Sequence, residues 1–115
     1  MTDRELLELA AKAAGMHTNM WADVGELLPD KGGWVQFVGQ GTASVWNPLI
    51  DDGDAFRLAV KLGIEITPDF DAKTVTGVIK AARTGAWEEV PFGNDPYDAT
   101  RRAIVRAAAQ IGEKQ

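Results

Sequence analysis

Three carboxylates fall within four residues at Asp51-Asp52-Gly53-Asp54, the densest acidic run in the chain. Hard cations such as magnesium want several carboxylate oxygens, so Asp51, Asp52 and Asp54 are the groups a magnesium-dependent enzyme would use. A calcium loop is not spelled out. Its ligands would spread over about twelve residues and end on a glutamate, whereas Ala55 to Ala59 adds no oxygen-bearing side chain. The reading preferred here is an N-cap followed by an acidic first turn, which the helix dipole favours.

Nucleophilic chemistry has little to work with. His17 is the only histidine, Ser44 the only serine, and there is no cysteine. A catalytic triad would have to use both of these residues with a carboxylate as orienter. Ser44 lacks the glycine-flanked elbow of a G-x-S-x-G motif. His17, just past a helix end, reads as a polar group near the helix C-terminus. Soft ligands for a transition metal are missing as well. Gly32-Gly33 and Gly39-Gln40-Gly41 complete neither G-x-G-x-x-G nor G-K-[ST], and read as turn glycines. We therefore expect no enzyme and no cofactor.

Binding chemistry is better represented. Arg101, Arg102 and Arg106 form the one basic cluster, and with a tryptophan they could contact a nucleotide-type anion. Residues 96–115 hold four basic and two acidic side chains, a net +2, so residues 1–95 carry −7 of the overall −5. A nucleic-acid footprint needs a broader basic face than this, and the cluster reads first as a solvated helix face. The four tryptophans, Trp21, Trp34, Trp46 and Trp87, suit stacking platforms or interface anchors. Core packing is the preferred use of such large aromatics.

The elements that must carry these groups follow from periodicity and punctuation. Residues 2–14 read as an amphipathic helix with Thr2 and Glu5 at capping-box spacing and Gly15 as the stop. Pro29-Asp30-Lys31-Gly32-Gly33 is loop chemistry. Residues 34–38 and 42–46 suit a hairpin. A second helix over residues 52–62, capped by Asp51 or Asp52 and closed by Gly63, is apolar on most of its wheel and should be largely buried. Strands follow at residues 64–67 (ended by Pro68), 73–80 and 86–90, with a turn at Arg83-Thr84-Gly85. Asp95 and Pro96 open a last helix that runs to about Ile111. On it Thr100, Ala103, Ile104, Ala107, Ala108 and Ile111 form the buried side, while Arg102, Arg106, Gln110 and Glu113 face solvent. The order requires helices covering a small sheet, hence a layered α+β domain with three main helices and about four to five short strands.

Bulk composition sets the class. A chain of 115 residues with 45% hydrophobic and 25% charged residues is an ordinary globular domain, read as one domain spanning residues 1–115. No repeat, linker or low-complexity segment interrupts it. No apolar run approaches the roughly 20 residues of a membrane span. The opening Thr2-Asp3-Arg4-Glu5 lacks the basic-then-apolar order of a signal peptide. The expectation is a soluble cytoplasmic protein, with no membrane association. Its net charge of −5 argues against general binding to a phosphate backbone.

Three stretches together carry a resemblance: MTDRELLELAAKAAG (residues 1–15), WNPLIDDGDAFRLAVKLGIEI (46–66) and DPYDATRRAIVRAAAQIG (95–112). In that order they resemble the small proteins of tailed phages and prophages described as the phage ABA-sandwich domain. The resemblance covers roughly half the chain, and residues 20–45 lie outside it. It implies a sheet flanked by helices on both faces and a phage or prophage origin. It brings no established catalytic residues. Under it, Trp46-Asn47-Pro48-Leu49 and the acidic cluster have two uses: a turn that docks Trp46 and delivers a buried helix, or a recognition surface on a loop beside a rigid helix. The structural use is favoured, because a helix with almost no exposed face must have its angle of approach fixed. Trp46, Asn47, Asp51, Asp52, Asp54, Arg102 and Arg106 are the candidate binding residues. The expected function is a non-enzymatic accessory role through a host or phage protein partner. Nucleotide-type anion binding is the second reading, and a magnesium enzyme on Asp51, Asp52 and Asp54 the third.

Overall fold

A computed structural model describes the backbone of residues 1–16, 21–23, 32–37, 43–79 and 87–115, with side chains over 1–16, 45–79 and 87–115. His17, Gly39-Gln40-Gly41, the Pro29-Asp30-Lys31 part of the loop cluster and the Arg83-Thr84-Gly85 turn lie outside the described residues, as does the side chain of Ser44. The class is mixed α+β, with three helices and six strands among the described residues.

Helix α1 spans Asp3–Ala13, with Thr2 as its N-cap. The Glu5 amide donates to Thr2 Oγ1 at 3.1 Å, as the capping-box spacing requires. Strands β1 (Trp21–Asp23), β2 (Gly32–Phe37) and β3 (Ala43–Trp46) form an antiparallel sheet. The expected hairpin is its β2–β3 pair, with Trp34 opposite Trp46. Strand β1 was not foreseen, since three residues are too few to show a period.

Helix α2 spans Asp52–Leu62. Asp51 is the cap: its Oδ2 accepts from the Asp54 amide at 2.8 Å. Gly63 closes the helix at φ +69°, in the left-handed region that a Cβ disfavours. Gly63→Ala should therefore cost about 1 kcal/mol, measurable as a lowered urea midpoint with an unchanged slope.

Strands β4 (Ile64–Asp69), β5 (Thr74–Ile79) and β6 (Trp87–Pro91) make a second antiparallel sheet in that spatial order. Here the proline reading needs correction. Pro68 does not end β4; it pairs with Val75 inside the strand. Strand β4 lies at the sheet edge, where the missing N–H of proline breaks no ladder bond. Cross-strand partners share a face, so the register separates two surfaces. The inner face carries Ile64, Ile66, Val75, Ile79 and Val90. The outer face carries three rows: Glu65–Val78–Trp87, Thr67–Thr76–Glu89 and Asp69–Thr74–Pro91.

Helix α3 spans Pro96–Glu113, with Asp95 Oδ1 accepting from the Tyr97 amide at 2.9 Å and Pro96 in the first turn. It packs on the inner face of the second sheet, and α1 and α2 pack on α3. On the outer face Glu65, Thr67, Asp69, Trp87 and Glu89 are exposed. Contact from both sheet and helices explains why Ala99, Val105 and Ala109 are buried beyond the expected Ala103, Ile104, Ala107 and Ala108, while Thr100 and Ile111, also expected there, are only half-buried. Ala10, Ala11 and Ala14 of the α1 segment share one core with Ala107 and Ala108. Small side chains there let two backbones approach closely, and at Gly112 the Leu9 carbonyl leaves no room for a Cβ. A second cluster gathers Val75, Val90, Phe92, Ala99 and Ala103 between sheet and α3. No helix among the described residues is long and apolar enough to cross a membrane.

One expectation about α2 fails. Its buried residues are only Ala55, Leu58 and Ala59. Phe56 and Val60 are 69% and 66% exposed. The wheel placed apolar residues nearly all round, but a helix at the margin of a small core can bury only one stripe.

Candidate functional site

The segment before α2 is assembled as a plug. Trp46, Asn47, Pro48 and Leu49 are all buried, and Asn47 is the one buried polar side chain among the described residues. Asn47 Oδ1 accepts from the Leu49 amide at 2.9 Å, an Asx turn that lets the chain reverse without a free donor. The Asn47 carbonyl accepts from the amides of Ile50 and Asp51. The Asn47 amide in turn donates to Asp54 Oδ2 at 3.0 Å, tying the turn to the first turn of α2.

The acidic cluster is consumed by this local work. Asp51 caps the helix, and Asp54 holds the Asn47 amide while its Oδ1 accepts from Arg57 Nη2 at 2.8 Å. Asp52 accepts from Arg101 Nη1 at 2.6 Å. Asp51 and Asp54 thus share the Arg57 guanidinium, at 3.9 and 2.8 Å, while Asp52 turns to Arg101. Among the described residues, no three histidine, aspartate or glutamate side chains converge as a metal ion would need. Asp51 is the N-cap, and Asp52 and Asp54 stand in the acidic first turn, each with a partner besides the helix.

The basic cluster also needs correction, because it is not a solvated face. Arg101 keeps only 16% of its side chain exposed. Its Nε donates to the Leu49 carbonyl at 2.9 Å, and its guanidinium also lies 3.6 Å from Asp98. This one side chain joins α3 to the turn and to the start of α2. Arg102 reaches the first residue of α1, with Nη1 and Nη2 donating to the two carboxylate oxygens of Asp3 at 3.0 and 3.2 Å. That paired geometry fits a guanidinium to a carboxylate. The hydrogen bond to Asp3 raises the Arg102 pKa above its ordinary value, against the opposing effect of partial burial, so the residue stays cationic. Arg106 is half-buried and, among the described residues, has no hydrogen bond or ion pair. A cavity of about 440 Å³ at the start of α3 is bordered by Phe92, Asn94, Asp95, Asp98, Arg101 and Arg102. Its two carboxylates match its two guanidiniums, so it offers an anion no net attraction.

Five of the seven candidate residues therefore gather around one junction rather than one pocket. Trp46, Asn47, Asp51, Asp52 and Asp54 meet at the head of α2, and Arg101 links that head to α3. Arg102 and Arg106 lie away from it, Arg102 at the end of α1. No family model, curated protein or solved structure matches the chain.

Two features of the surface were missed from sequence. Phe56 and Val60 stand out from α2 at i,i+4 spacing, and Trp87 stands out from β6 with 56% of its surface exposed. Burial was the preferred reading for each. No sequence signal separates an apolar residue at the outer margin of a helix from one beneath it when both belong to the same apolar run.

Proposed function

We propose that this chain is a non-enzymatic accessory protein of a phage or prophage, at work in the cytoplasm of a bacterial host, that acts by binding a host or phage protein. The supporting observation is the exposed pair Phe56 and Val60, presented one above the other on a helix whose start is fixed by Asp51, Asp54, Asn47 and Arg101. Large apolar side chains on a rigid mount bind well because little entropy is lost in ordering them. Asp51, Asp52, Asp54, Arg101 and Arg102, which could have served catalysis or anion capture, are occupied by capping and by each other, which favours contact over chemistry. The phage setting rests on the resemblance of the three stretches. The acidic balance goes with avoidance of a phosphate backbone.

The test is affinity capture from infected or lysogenic cells, with the wild-type chain beside a Phe56→Asp/Val60→Asp variant. Both positions are exposed, so the variant should unfold within about 0.5 kcal/mol of wild type per substitution. It should lose the captured protein. Capture that survives both substitutions, or a wild-type chain that retains no protein, would overturn the proposal.

A further inference from the structure

The outer face of the β4–β5–β6 sheet combines carboxylates with an exposed indole. Among the described residues its three cross-strand rows contain the carboxylates of Glu65, Asp69 and Glu89 and no basic side chain, with Asp69 Oδ1 also accepting from the amides of Asp71 and Ala72. In the first row stands the exposed Trp87. Trp87 and Glu89 are two residues apart on one strand and so lie on the same face, about 6.8 Å apart along it. Strand β6 is fixed from behind, because Gln110 Nε2 of α3 donates to Glu88 Oε1 at 2.5 Å. The platform is therefore preformed.

We infer that this face docks an arginine-bearing extended segment of a partner protein, with Trp87 and Glu89 as its principal contacts. A guanidinium stacked on the Trp87 indole lies within reach of the Glu89 carboxylate, and a planar cation satisfies both at once. Thr76, opposite Glu89, supplies a hydroxyl beside that position. Charge decides against the other occupants. A second copy would set one acidic face against another. Anionic lipid and nucleic acid are repelled for the same reason. Strand addition at the sheet edges is disfavoured because Pro68 on β4 and Pro91 on β6 lack the N–H that a new strand would need. Recognition is thus through the face and not the edge. This surface is separate from the Phe56 and Val60 pair, and the inference does not depend on that pair.

The experiment uses the full-length, isotope-labelled chain and two synthetic eight-residue peptides, one alternating arginine with threonine and one alternating glutamate with threonine. The arginine peptide should shift the amide resonances of β5 and β6 and the indole resonance of Trp87, and the glutamate peptide should shift none. Trp87→Ala and Glu89→Lys should each weaken binding at least tenfold, while the Phe56→Asp/Val60→Asp variant binds as wild type. Raising salt from 50 to 200 mM should weaken it further, as an exposed charged contact requires. Shifts spread over the whole surface, or equal binding by Glu89→Lys, would overturn the inference. If the arginine peptide fails to bind while capture from cells still depends on Phe56 and Val60, the inference falls and the proposed function stands.

Discussion

Replacement of Gly112 by valine is expected to be among the most damaging single changes in the protein. A Cβ at this position would be driven into the Leu9 carbonyl oxygen, and would lie 2.8 Å from the carbonyl carbon and 3.2 Å from the Leu9 Cα. These are backbone atoms of α1, so no side-chain rotation relieves the clash; α1 and α3 must move apart. That movement opens the packing of Ala10, Ala11 and Ala14 against Ala107 and Ala108, where the small side chains leave no slack. Overpacking of a close-packed core costs about 1–3 kcal/mol and sometimes more. Alanine at the same site recovers about 1 kcal/mol of helix propensity relative to glycine. Gly112→Ala should thus lose up to about 2 kcal/mol net, and Gly112→Val about 3 kcal/mol or more. With about 4 °C or more per kcal/mol for a domain near this size, the valine variant should melt at least about 10 °C lower. A valine variant with unchanged Tm would mean that α1 does not depend on this contact.

The importance of Gly112 shows where reading from sequence reaches its limit. All three helices are legible, because their ends carry chemistry that acts over three or four residues. Thr2 accepts from Glu5, Asp51 from Asp54 and Asp95 from Tyr97. Gly63 closes α2 in the left-handed region. The strands that alternate in burial, such as β5, are legible for the same local reason. The mixed α+β class follows from these elements. What is not local is not legible. Gly112 reads as an ordinary helix-end glycine, yet it is a point of contact with a residue more than a hundred positions away. Arg101 and Arg102 read as a solvated basic face because their partners, Leu49, Asp52 and Asp3, lie about 50 and 99 residues distant. Phe56 and Val60 read as core because apolarity marks what can be buried, and only the finished fold decides which residues are. The candidate site divides in the same way. The capping of the Asp54 amide by Asp51 is visible in the spacing, whereas the bond between Asp52 and Arg101 is not.

Asn47→Ala is expected to separate the two uses of the segment before α2. If the segment is an anchor, its loss is paid in stability; if it is a recognition surface, its loss appears in binding. Asn47 is only 5% exposed, and its Oδ1 satisfies the Leu49 amide. Alanine removes that acceptor in a place where water cannot readily replace it. Leaving a buried donor unsatisfied costs about 1–3 kcal/mol. The effect extends past one bond. The same residue directs its carbonyl to the Ile50 and Asp51 amides and its own amide to Asp54, so its conformation sets the direction of α2. It also places the Leu49 carbonyl beneath Arg101. A loosened turn therefore weakens the α2–α3 junction, and the expected loss is about 2–3 kcal/mol, near the upper end of that range. Hydrogen exchange should localise it, with the amides of Leu49 and the first turn of α2 losing protection ahead of α1. Asn47→Asp keeps an acceptor for the Leu49 amide but sets a second carboxylate near Asp54, and should recover only part of the loss at neutral pH. An Asn47→Ala variant that unfolds like wild type yet fails to capture its partner would transfer the segment from anchor to recognition surface. Loss of stability with the Phe56 and Val60 surface still competent at low temperature would place Asn47 in the mount and the binding chemistry on the helix it holds.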